Sequence, residues 1–217
     1  MSQKTNPFSR LAREYDAWFD SPDGRDLFEL ERRALVRLQA GRKGRWLEVG
    51  AGTGRFARSL GIAEGLEPAE GMSRLAVARG VRIVGGEGEH LPFRAGSYEG
   101  ILFVVAICFL SDPAAVFREC RRVLKVGGWL VAGIIPAAGP WGREYARRAR
   151  SGHRYYAGAR FYDAGEIARM ASAAGLVAAG AASCLYDAPG ALLRDKAIRP
   201  GADEMAGFVA LRFRNPG

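Results

Sequence analysis

The chain has 217 residues, 48% of them hydrophobic, with three cysteines and a formal charge of +9. That length and apolar content fit one globular domain with a sizeable core and exclude a disordered or fibrous chain. No apolar run could span a bilayer, and Cys108, Cys120 and Cys184 are too scattered for a disulfide framework or a zinc pattern, so a reducing cytoplasm is the expected location. The polar stretch Met1–Arg10 lacks the apolar centre of a secretory leader. Lysine occurs only at Lys4, Lys43, Lys125 and Lys196, so the positive charge is almost all arginine. Abundant alanine and glycine tie that bias to base composition, which leaves a nucleic-acid partner as the weaker reading.

Residues 1–44 read as a helical cap. Leu11, Tyr15, Trp18 and Phe19 share one helical face, and Leu27, Leu30, Ala34 and Leu38 share another. Ser21-Pro22-Asp23-Gly24 breaks between them. The period then changes. Trp46–Val49 is an apolar strand interrupted by Glu48, followed by Gly50, Gly52 and Gly54 on alternate positions and then a helical pattern. Glycines there permit a sharp turn and close approach of a ligand, and the following helix would point unpaired N–H groups into the turn. A nucleotide-like ligand is implied. A dinucleotide fingerprint would need a third glycine where Arg55 stands, and Glu48 would repel a pyrophosphate. A carboxylate suits a ligand that carries positive charge instead.

Gly65-Leu66-Glu67 reads as a second strand, Glu70–Arg79 as a helix and Val81–Val84 as a third strand. Glu99–Val105 is apolar enough to be buried on both faces, as a parallel sheet requires. Asp112 and Pro113 start a helix that buries Val116, Phe117, Cys120, Val123 and Leu124, with Gly127-Gly128 expected to close it. Trp129–Ile135 is a fifth strand, Asp163 with Glu166 a capping box for a helix running to Gly175, and Leu176–Cys184 and Phe208–Phe213 two last strands. This alternation predicts a Rossmann-like, doubly wound α/β fold with seven mostly parallel strands and an N-terminal helical lid. Residues 45–136 would form the cofactor-binding core and 137–217 the acceptor region with the last two strands, all within a single domain.

The order and spacing of these segments resemble class I S-adenosylmethionine-dependent methyltransferases, and more narrowly their UbiE-like small-molecule branch. The E-x-G-x-G-x-G run at 48–54 is similar to the first motif of that family, and Glu-Pro-Ala-Glu-Gly-Met at 67–72 to the second. Gly-Glu-Gly-Glu-His-Leu-Pro-Phe at 86–93 is similar to its adenine segment, with Glu87 in place of the usual aspartate. Ser97-Tyr98-Glu99, Leu110-Ser111-Asp112-Pro113, Leu124-Lys125-Val126-Gly127-Gly128 and Phe161-Tyr162-Asp163 follow in register.

The resemblance implies S-adenosylmethionine as cofactor and methyl transfer to a small molecule, governed by proximity and orientation. It implies Glu48, Gly50, Ala51 and Gly52 at the methionine end and Glu67 on the ribose. Pro68, Met72 and Leu91 would pack around the adenine, Glu87 and the Gly88 N–H would read its edge, and the Val105 backbone would lie beside the reacting centre. Tyr15 is either a lid over the methionine or part of an aromatic stripe that packs the helix down.

His153 is a candidate base, Tyr15 is the other catalytic candidate, and no metal is required; Cys108 reads as packing. Arg143, Arg147, Arg148, Arg150, His153, Arg154 and Arg160 cluster in one segment, which fits an anionic acceptor or a solvated basic helix. An RNA or protein methyltransferase and a non-catalytic S-adenosylmethionine-binding protein remain alternatives. The acceptor and the oligomeric state are not legible.

Overall fold

The computed structural model describes residues 7–39 and 41–217; Met1–Asn6, the start of the polar N-terminal stretch, lie outside the described residues. Helices α1 (Pro7–Arg10), α2 (Ala12–Trp18) and α3 (Pro22–Leu38) precede β1 (Trp46–Val49). Then come α4 (Arg55–Ser59), β2 (Glu64–Leu66), α5 (Glu70–Ala78), β3 (Arg82–Val84) and β4 (Tyr98–Val104). A 3-10 turn (Ile107–Phe109), α6 (Pro113–Val123), β5 (Leu124–Ile134), α7 (Pro140–Arg150) and α8 (Ala164–Ala173) follow. The chain closes with β6 (Val177–Cys184), β7 (Arg199–Pro200) and β8 (Phe208–Arg214).

The eight strands form one sheet in the order β3-β2-β1-β4-β5-β8-β6-β7. Strands β1 to β5 are mutually parallel, and β8 inserts antiparallel between β5 and β6. The seven strands read from the sequence are all present; the eighth is a two-residue edge at Arg199–Pro200, too short to show a period. Apolar side chains cover both faces. Phe117, Cys120 and Val123 of α6 and Ile167 and Ala171 of α8 pack on one face. On the other, Leu30, Ala34 and Leu35 of α3 join Ala57 of α4 and Trp141 of α7. β1 lies between β2 and β4, so the strand order reverses at its C-terminal end, which is where such sheets form a ligand crevice.

Local signals set most boundaries. Ser21 accepts the Gly24 N–H at 3.1 Å to cap α3, Asp112 accepts the Ala115 N–H at 3.0 Å to cap α6, and Asp163 with Glu166 forms the capping box of α8. One boundary differs. Gly127-Gly128 does not end α6 but sits inside β5, because Leu124 already pairs with Tyr98 and the sheet takes over three residues earlier. Gly127 then turns the strand, with φ +78° and its N–H donated to the Asn215 carbonyl at 2.8 Å. The first helix of the N-terminal cap also breaks at Leu11 into α1 and α2, and Trp18 is left 44% exposed rather than sharing the buried face of Phe19.

Candidate active site

The floor of the crevice is the turn from β1 into α4. Gly50, Gly52 and Gly54 all adopt left-handed backbone, at φ +72°, +54° and +77°. Side chains with a Cβ are strained there. A Cβ on Gly50 would sit 2.6 Å from the Ala106 Cβ, whereas one on Gly52 would meet nothing and would project into open space. Gly50 and Ala51 donate to the Leu66 carbonyl at 2.9 and 3.1 Å, which closes the turn against β2.

Two carboxylates flank this turn. Glu67, just past β2, accepts the Gly52 N–H at 2.8 Å with one oxygen and the Ala69 N–H at 2.8 Å with the other. Burial nonetheless raises its pKa; those two amides act in the opposite sense. Glu48 on β1 is 1% exposed, and its Oε2 has no hydrogen-bond partner. Burial pushes this carboxyl well above the ordinary carboxylate range, with the Ala57 N–H opposing and the charge of Glu67 adding to the shift. A buried carboxylate oxygen without a partner is costly. A ligand that brings a positive charge to it relieves that cost.

Two adjoining cavities open from the floor. The first, of about 250 Å³, lies over Gly50 and Gly52 among Glu67, Pro68, Met72, Glu87 and Gly88. The second, of about 420 Å³, lies on the other side of Gly50–Gly52 among Glu48, Glu31, Tyr145, His153 and Tyr156. Tyr15, Gly50, Gly52, Val104 and Val105 line both, so the cavities share one wall. Val105 has φ +50°, a rare conformation for a β-branched residue, at the point where the two cavities meet.

Helix α2 roofs this junction. Tyr15 makes edge contacts with Phe8, Phe19 and Tyr155 at centroid distances of 5.9, 5.6 and 5.4 Å. Asp16 ties the roof down: Arg55 donates to it at 2.7 Å and reaches Asp20 at 2.9 Å. Arg79 bonds both Asp16 and the Thr53 carbonyl. Arg55, the residue that spoils a dinucleotide fingerprint, is thus the latch between glycine turn and lid.

Most expected site residues converge here. Leu91 does not line either cavity; it is 4% exposed in the core, and its N–H is donated to Glu119 at 2.8 Å. Glu87 is exposed at the rim. His153 is half-buried and stacks on Tyr156 at 4.8 Å, and burial with the neighbouring Arg148 and Arg154 lowers its pKa, which keeps the imidazole neutral near pH 7. Burial raises the pKa of Tyr15, so its hydroxyl stays protonated and is no base. Cys108 is a buried thiol pushed up to about 12 by burial, unsuited to attack.

Much of the arginine segment is engaged within the fold: Arg147 and Arg148 share Glu144, both at 2.8 Å, and Arg154 pairs with Glu14. Sequence reasoning missed Glu31, Tyr145 and Ser111 as lining residues. Glu31 left one signal, a charge four residues from Leu27 and from Leu35 on an apolar stripe.

A carboxylate near the end of β1, a second just past β2 and a glycine floor between them suit a cationic ligand better than a phosphate. The class is that of Rossmann-like methyltransferases. Residues 47–132 match the model of a methyltransferase domain. An uncharacterized protein of Mycobacterium tuberculosis is 40% identical over 203 residues, 93% of this chain and 71% of that protein. A demethylmenaquinone methyltransferase of Roseiflexus castenholzii is 35% identical over 136 residues, 56% of this chain and 55% of that one. A crystal structure of a SAM-dependent methyltransferase from Thermotoga maritima, described as a possible histamine N-methyltransferase, superposes with a TM-score of 0.88. It is 34% identical and covers 96% of this chain and 98% of that one. The chain belongs to the class I S-adenosylmethionine-dependent methyltransferases, and S-adenosylmethionine is its cofactor. The partnerless oxygen of Glu48 fits the ammonium that this cofactor carries. Among the described residues no helix is long and apolar enough to cross a membrane.

Proposed function

We propose that this methyltransferase acts on a small molecule held in the 420 Å³ cavity beneath α2. The observation that carries the reading is the shared wall: Tyr15, Gly50, Gly52, Val104 and Val105 border both cavities. The volume falls within the range of small-molecule pockets, about 300–1,000 Å³. The lid latched by Asp16 favours an enclosed acceptor over a polymer.

In this reading Glu48 and the Gly50–Gly52 backbone hold the methionine end, and Glu67 accepts from the ribose with lone pairs its two amides leave free. Pro68 and Met72 flank the adenine, and Glu87 with the Gly88 N–H reads its edge. Bound there, S-adenosylmethionine supplies a methyl group on a sulfonium, an excellent leaving group. The chain's own contribution is to align the acceptor with that methyl and to exclude water. Val105 fixes the common wall, Tyr15 and Tyr155 close the top, and neutral His153 is placed to take a proton from an acceptor that must lose one.

Incubation with S-adenosylmethionine labelled on the methyl group and a metabolite extract tests the reading. Label should appear in low-mass product. Label confined to protein or RNA would overturn it.

A further inference from the structure

Two buried carboxylates line the second cavity: Glu48, which the reading above gives to the methionine end of the cofactor, and Glu31, to which it gives no role. Glu31, on α3, is 4% exposed. Its carboxyl makes no hydrogen bond or ion pair among the described residues, although buried carboxylates are almost always paired. Nothing else in the wall neutralises it. The three arginines that line the cavity are engaged elsewhere: Arg55 with Asp16 and Asp20, Arg148 with Glu144, Arg154 with Glu14. His153 is neutral, for the reasons given above.

Beside Glu48 and the glycine turn, much of the remaining lining is aromatic. Tyr15, Phe19, Tyr145, Tyr155 and Tyr156 face the space, with Tyr145 and Tyr156 packed at 4.7 Å. Aromatic faces attract cations and repel anions. A carboxylate-bearing acceptor would find no unpaired cation in this wall, and its charge would oppose the ionisation of Glu31. A cationic nitrogen would meet a counter-ion and an aromatic wall together.

We propose that Glu31 is the specificity residue of the acceptor site, and that the acceptor is a small amine whose cationic nitrogen it binds. The proposal rests on the small-molecule reading above and replaces the anionic acceptor suggested by the arginine cluster. It concerns recognition, and leaves open whether the bound nitrogen or another atom of the same molecule receives the methyl group. Burial pushes the Glu31 carboxyl up to about 8, so near neutral pH it is largely protonated and ionises when a cation comes against it, releasing a proton on binding.

The test uses the whole protein saturated with S-adenosylhomocysteine and calorimetric titration. The probes are three amines (tyramine, histamine and putrescine) and two isosteres of tyramine, the acid 4-hydroxyphenylacetate and the neutral 2-(4-hydroxyphenyl)ethanol. At least one amine should bind, and tyramine should exceed both isosteres by about tenfold or more, the scale of one charge-assisted hydrogen bond. Glu31→Gln should erase that preference while S-adenosylhomocysteine affinity stays within about twofold, and Glu31→Asp should restore part of it.

Equal binding of the acid isostere, an unaltered amine affinity in Glu31→Gln, or no amine binding at all would overturn the proposal. A melting temperature of Glu31→Gln at or above that of the parent chain establishes that its loss is not misfolding. The two readings fail separately. Turnover of a carboxylate acceptor would sink the Glu31 proposal alone, whereas label found only in macromolecules would sink the small-molecule reading.

Discussion

The two halves of the crevice are built from different materials. Around the first cavity the ligand-facing groups come from consecutive strand ends, at 49–52, 66–72, 86–89 and 104–111, and many are backbone. The second shares the glycine turn and Val104–Val105 as its floor and adds Glu48, but its remaining walls are mostly side chains drawn from α2, α3, α7 and the segment 153–156. The first is therefore fixed by the sheet and by turns that only a few residue types satisfy. The second depends on how three helices pack over that sheet, so its chemistry can change without altering the fold.

If that division holds, substitutions on the floor should strike cofactor binding and substitutions in the helices should strike the acceptor. The largest effect is expected from Gly52→Ala. The left-handed backbone costs an alanine about 1–2 kcal/mol, and the new Cβ would stand in the open space over the floor. Affinity for S-adenosylmethionine should fall by about 100-fold or more by calorimetry, while the melting temperature drops only a few degrees. A loss of stability with unchanged affinity would move the cofactor off this turn.

Glu48→Gln comes next, with a loss of about 10–100-fold in cofactor affinity, the range for removing a charged partner. The pH dependence carries a sign. The carboxyl of Glu48 titrates above its unfolded value, so in the free protein its contribution to stability is full below the ordinary carboxylate range and declines as pH rises through the raised value. A cationic ligand prefers the ionised form. Binding should therefore release protons and tighten with rising pH over the same window, seen as a buffer-dependent heat. In Glu48→Gln that heat should diminish; an unchanged heat would remove Glu48 from the contact.

Asp16→Ala should act on the lid alone, raising KM for S-adenosylmethionine about five- to tenfold with little change in melting temperature. Asp16 is held below its ordinary value: burial opposes this, but bonds from Arg55 and Arg79 outweigh it. The latch is thus intact above the ordinary Asp range, about pH 4, and weakens as pH falls through the lowered value. A lid that loosened with rising pH would contradict the pairing.

The smallest effect is expected from Arg147→Ala with Arg148→Ala. Both side chains are spent on Glu144, and exposed pairs of this kind count for little. Acceptor KM should move by less than about threefold. A selective rise beyond about tenfold would restore the anionic acceptor and count against Glu31.

Legibility followed the same division. Strand ends, caps and the glycine turn could be read because each depends on neighbours within a few residues: Asp112 caps α6, Asp163 with Glu166 caps α8, and Gly50, Gly52 and Gly54 all take left-handed backbone. The reading failed where a distant partner intervened. Leu124 left its helix because Tyr98 was there to pair with it. The arginines of the 143–160 segment look like a receptor for anions in the sequence, but in the fold Arg147 and Arg148 turn to Glu144 and Arg154 to Glu14.

The chain's order of residues alone thus determined the sheet, its glycine floor and the kind of cofactor, since periodicity and turn chemistry are local and a cationic, phosphate-free ligand is the one that suits Glu48. Only the folded molecule decided what the second cavity asks of its occupant. Glu31 stands 17 residues before Glu48 in the chain and 122 before His153. Its burial, its lack of a partner and its aromatic surroundings exist only once α2, α3 and α7 have closed over the same strand ends.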